Sequence, residues 1–197
     1  MELEDGIPGG EKKYELIPDQ QMIVAGTTLY RIRALKEFGN VKVGDVGGFV
    51  GSERNLSQYG NCWVADDARV YDEALVSGDA RVFGRARIYG QARVSDKGQV
   101  LGNAQVFGNG WVFKSAVVFD NAMVYGHAQV RDHGLVFGEA RICDYVRILG
   151  AGQVCGDAEV QGETVIGGLE EGRRRQRPWQ GPSRGRGRPR SPRGPRP

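Results

Sequence analysis

From Trp63 onward the chain keeps time in sixes. WVADDA, RVYDEA, LVSGDA, RVFGRA, RIYGQA and RVSDKG follow one another, and the pattern runs without a gap to Gly168. The second position of each unit is Val or Ile eighteen times in succession, from Val64 through Val106 and Val136 to Ile166. The sixth is small almost throughout: eleven Ala, four Gly, then Val146 and Thr164. The fourth is Gly or Asp in every unit but one, where Lys114 stands. Two further units, FVGSER and NLSQYG, precede the run and are offset from it by the pair Asn61-Cys62.

A period of six rules out a helix, because it would smear the apolar positions around the helical circumference. It suits short strands, in which side chains alternate faces. Ala68 and Val70 then point one way while Arg69 and Tyr71 point the other. The aliphatic and small residues belong inside, since Arg cannot line a dry interior. A Gly or Asp at the fourth position supplies the backbone dihedrals of a sharp corner. The pattern therefore predicts an all-β, single-stranded parallel β-solenoid. Three six-residue sides would make a coil of about 18 residues, and six coils at ~4.8 Å a prism roughly 29 Å long.

The repeat over 49–168 resembles the hexapeptide-repeat family, whose consensus is an aliphatic residue followed four positions later by a small one. The stretch from Leu29-Tyr30-Arg31-Ile32 through Gly47-Gly48-Phe49-Val50 to Gly60-Asn61-Cys62-Trp63-Val64 also looks like the opening of uncharacterised hexapeptide-repeat proteins of bacteria and their phages. The resemblance implies a left-handed, triangular coil and a homotrimer, as in many bacterial acyltransferases. Handedness comes from the resemblance alone, since crossovers between parallel strands are otherwise right-handed. The chain departs from many enzymes of the family in carrying an aromatic or aliphatic residue after the Val or Ile, as in Val82-Phe83 and Val124-Tyr125.

The two ends break the period. Residues 1–48 contain YELIPDQQMIVAGTTLYRIRAL, which reads as a hairpin turning at Ala25-Gly26. An end coil exposes unpaired strand edges, so this segment is expected to be an N-terminal cap. Residues 169–197 hold ten of the 27 basic residues, two of the 24 acidic ones and six of the eight Pro. That composition cannot bury a core and predicts a disordered basic tail. It also relocates the charge, because the tail stands at +8 and residues 1–168 at −5. MELEDGIPGGEKK shows no signal peptide, and no apolar run predicts a membrane span, so a cytoplasmic or virion-associated protein is expected. Three Cys without metal spacing suit a reducing compartment.

Chemistry has few carriers. Family enzymes that move acyl groups from coenzyme A often use a His as general base near a subunit interface, and the two candidates are His127 and His133. Both stand at the fifth position, a solvent-facing corner, with Asp132 beside His133 as the nearest orienting partner. Eighteen units without an insertion leave no irregular loop to build an acceptor pocket. The outward residues sort into three faces. Face one carries Phe83, Leu101, Val117, Phe119, Leu135 and Phe137, apolar enough to predict an oligomer interface. Face two interleaves Arg69, Arg87 and Arg141 with Tyr, a pattern that could hold a polyanion or nucleic acid, as could Arg184, Arg186 and Arg188 of the tail. Asp at corners does not make a calcium site, because the period is six and not nine. The sequence thus favours a non-catalytic structural or interaction protein without a cofactor. The alternatives are an acyltransferase using acetyl-CoA or another acyl-CoA, and a polyanion binder acting through the tail.

Overall fold

The computed structural model describes residues 12–168; the tail expected to be disordered, with Arg184, Arg186 and Arg188, lies outside them. Two long antiparallel strands come first, β1 (Tyr14–Val24) and β2 (Thr27–Ala34), followed by β3 (Val46–Val50). The rest is a parallel β-solenoid of about seven turns, whose strands are two residues long and repeat every 18 residues. Three sheets form its sides. One stacks Trp63–Val64, Arg81–Val82, Gln99–Val100 and their equivalents up to Gln153–Val154; another runs from Leu75–Val76 to Val165–Ile166. The remaining sheet stacks Arg69–Val70 through Glu159–Val160 and has nine strands, because β3, β2 and β1 extend it downward. β3 pairs parallel with Arg69–Val70, whereas β2 pairs antiparallel with β3, so hairpin and solenoid share one sheet across position 48.

The alternation predicted from sequence is observed. Position-two residues from Val64 to Ile148 are fully buried, as are the Ala residues at position six from Ala80 to Ala140. Together they form one continuous core from Leu56 to Val154. Coils are joined at positions one, three and five, whose amides donate to carbonyls of the next coil. Arg81 donates to Gly98, Phe83 to Val100 and Arg85 to Gly102, at 3.0, 3.0 and 2.7 Å. Val160 and Ile166, with no coil above them among the described residues, are only half-buried.

The corners are left-handed. Position four has positive φ in seventeen units, from Asp66 (55°) to Gly162 (80°). Every Asp there also accepts a hydrogen bond from the backbone of the coil above. Asp66, Asp72, Asp96, Asp120, Asp132 and Asp144 take the position-four amides of residues 84, 90, 114, 138, 150 and 162 at 2.9–3.2 Å. These amides point along the axis, where nothing else in the repeat meets them.

The first turn is two residues longer than the rest, since Val50 pairs with Val70 and Leu56 with Val76. The extra pair is Asn61-Cys62, and it is held by a buried lysine. Lys13, 1% exposed, donates from Nζ to the Cys62 carbonyl at 3.0 Å and contacts Cys62 Sγ at 3.2 Å. Its ammonium also lies over the Phe38 ring, 5.0 Å from the centroid. The neighbouring Tyr14 donates its hydroxyl to the Leu56 carbonyl at 2.7 Å and joins Ile32, Ala34 and Val41 in the core. The hairpin turn uses Ala25 (φ 48°) and Gly26 (φ 84°), the positive pair that a two-residue mirror-image turn requires. Pro18 falls where the β1–β2 register shifts, between Ile17 and Gln21, so its missing N–H breaks no ladder.

Candidate functional site

The three outer faces differ in what covers them. On face two, Tyr71, Tyr89, Phe107 and Tyr125 stack in one ladder, with ring centroids 4.8–5.2 Å apart and planes within 5° of parallel. Its lower end is not free. The hairpin folds over it, packing Leu29, Met22 and Val24 against Phe49, Tyr71 and Tyr89. Tyr71, expected on the outer surface, is therefore 7% exposed. Arg31 of β2 seals this contact, its guanidinium 4.4 Å from the Phe49 ring centroid and hydrogen-bonded to Gly47, Asp66 and Asp67. Of the three face-two arginines singled out from sequence, Arg69 and Arg87 are adjacent in register. Arg141 stands apart, in register with Glu159, so the three do not form one cationic strip.

On face one, the six residues expected at an interface come together. Phe83, Leu101, Phe119 and Phe137 make one column and Val117 and Leu135 the next, all half-buried within the single chain. Phe119 and Phe137 stack at 4.9 Å. The column beside them starts at Trp63, has Arg81 above it and continues through Gln99 to Gln153, so no ionised side chain interrupts the patch above Arg81. Trp63, whose first position in the repeat points it outward on this face, is only 5% exposed: Phe38 and Tyr14 pack edge-on against it, at 5.4 and 6.5 Å.

The two imidazoles lie at successive corners and are exposed. His127 stacks face to face on Tyr145, with centroids 5.0 Å apart. The pair lines an open depression of about 370 Å3 with Gln129, Arg147 and Glu163. His133 has no orienting carboxylate in Asp132. One oxygen of Asp132 holds the Lys114 ammonium at 2.6 Å and the other accepts the Gly150 amide at 3.2 Å. Both partners, the ammonium first, keep that carboxyl below the ordinary aspartate value.

Cys62 is fully buried. Burial pushes it up, against the opposing pull of Lys13, while the same burial pushes Lys13 down. Cys143 is buried and Cys155 exposed, and all three Cys are free. Each corner aspartate gives one carboxylate oxygen to a backbone amide of the next coil. Two features escaped the sequence reading: the axial hydrogen bonds of these aspartates and the depression at the His127 corner. Both join residues 18 apart, a spacing that becomes meaningful only once three sides per coil are established. No helix among the described residues is long and apolar enough to cross a membrane. Neither a protein-family model nor a curated protein matches the sequence.

Proposed function

We propose that the protein is a non-catalytic structural or interaction protein of the hexapeptide-repeat type, with a left-handed triangular coil, which associates with two further copies of itself through face one. The observation that carries this reading is the column Phe83, Leu101, Phe119 and Phe137 with Val117 and Leu135 beside it. Ladder stacking covers each of these side chains only in part, and the remaining apolar surface gains about 25 cal/mol per Å2 when a partner removes it from water. A flat face repeated on identical copies packs economically around a threefold axis. The other two faces are interrupted by Arg69, Arg87, Arg93 and Arg147, which favours face one at the axis.

Two measurements test the reading. Light scattering on the eluting full chain should give a trimer for the native sequence and a monomer for Phe119→Glu, which places three carboxylates at the axis. An unchanged mass in the variant would move the interface elsewhere. Calorimetric titration with acetyl-CoA should give no specific heat. Binding that is competed by free coenzyme A and lost in His127→Ala or His133→Ala would replace this reading with an acyltransferase.

A further inference from the structure

The depression at His127 is not alone on its edge. A second, of about 320 Å3, is lined by Glu73, Gln91, Arg93, Asn109 and Trp111. Residues 18 apart are vertical neighbours, so Glu73, Gln91, Asn109, His127, Tyr145 and Glu163 form one column at the corner between the second and third faces. Leu75, Arg93, Trp111, Gln129, Arg147 and Val165 form the adjoining column, in register from coil to coil, with the exposed Leu75 and Val165 at its two ends. The two depressions are therefore halves of one groove parallel to the solenoid axis. It crosses six coils and is about 24 Å long at ~4.8 Å per coil.

The chemistry of this groove selects its ligand. Glu73 and Glu163 near the ends balance Arg93 and Arg147, so a polyanion would gain no net attraction and would meet a carboxylate at either end. The groove is too open to enclose a small molecule. Its walls alternate aromatic planes with amide, carboxylate and guanidinium groups. Trp111 is held flat by Phe113, 4.2 Å between centroids, and by its Nε1 hydrogen bond to Ser95 at 3.1 Å. Tyr145 is held by its stack on His127. Hydroxyl groups both donate and accept, so a hydroxyl-rich chain can use every one of these side chains. The C–H face of a sugar ring packs on a rigid aromatic plane such as that of Trp111.

We propose that this groove binds a linear, uncharged polysaccharide. The site is independent of the self-association argued above. With face one at a threefold axis, the opposite edge, where the groove runs, faces outward.

Affinity electrophoresis of the full chain tests this, in native gels cast with hydroxyethylcellulose, xyloglucan, glucomannan or dextran, and with heparin as the charged control. At least one neutral gel should retard the protein, and Trp111→Ala should weaken that retardation about fivefold to tenfold. Removing Trp111 also strips a stacking partner from Phe113. The double variant Arg93→Ala/Arg147→Ala, at exposed positions, therefore provides the second arm and should weaken retardation to a similar degree. Retardation in none of the neutral gels, retardation by heparin alone, or neutral retardation unchanged in the double arginine variant would each overturn the proposal.

Discussion

The corner residue shows how much chemistry one position of a repeat can hold. A non-glycine side chain at positive φ is costly, and Asp is among the residues that tolerate it. Here Asp returns something that Gly cannot, a carboxylate for the axial amide of the next coil. The columns also obey a charge rule: no Asp at position four has an Asp directly above it. Lys114, the one exception to the Gly-or-Asp pattern, follows from that rule. It sits between Asp96, which accepts its amide, and Asp132, which binds its ammonium. Lys114→Asp would stack three carboxylates and should cost about 1 kcal/mol near neutral pH in urea denaturation. The cost should shrink in acid. Asp132 is held below its ordinary value of 3.8, so its native carboxyl releases its proton more readily than the unfolded one. Its stabilising contribution is complete above that value and is lost as pH falls below it, through the lower value of the native carboxyl. The difference between the two proteins should therefore narrow below about pH 3.8; a difference that stays constant or widens there would refute the charge rule. Sequence periodicity marked position four as a corner, because Gly and Asp both announce positive φ. The choice between them was not legible, since it depends on a partner 18 residues away.

At the scale of elements, the hairpin is both end piece and cover. Its turn was readable from Ala25-Gly26, and its strands fall where the apolar run predicted. What it covers was not readable, because residues 12–45 lack the period that places every other side chain. Trp63 and Tyr71 therefore looked exposed by their phase in the repeat and are buried by a segment outside it. Tyr14 anchors that segment. Burial, then Glu53, raises its hydroxyl well above the usual tyrosine value, so it remains a donor to the Leu56 and Glu53 carbonyls throughout the stable range of pH. Tyr14→Phe leaves those carbonyls unpaired and should cost about 1–2 kcal/mol in thermal or chemical unfolding. In the solenoid itself, Ile88→Ala should cost about 2–5 kcal/mol, as for other fully buried aliphatic truncations. A loss under 1 kcal/mol would mean that neighbouring coils close the cavity.

The whole molecule is a prism with three unlike sides. One is partly sealed by its own N-terminal hairpin, one is a mixed polar and aromatic surface beside a long groove, and one is an apolar ladder without ionised residues above Arg81. The apolar ladder was legible because each six-residue unit fixes which side chains face outward. The groove was not, because it combines position five of one side with position one of the next. Nearest-neighbour stacking makes each coil depend on those above and below, so a substitution on one face leaves the others intact. The roles of the faces are thus separable by mutation. The decisive measurement is sedimentation equilibrium of the full native chain across a micromolar concentration series. A single species at three times the chain mass is the predicted result. A monomer throughout the series, with Phe83, Leu101, Phe119 and Phe137 left in water, would contradict the account.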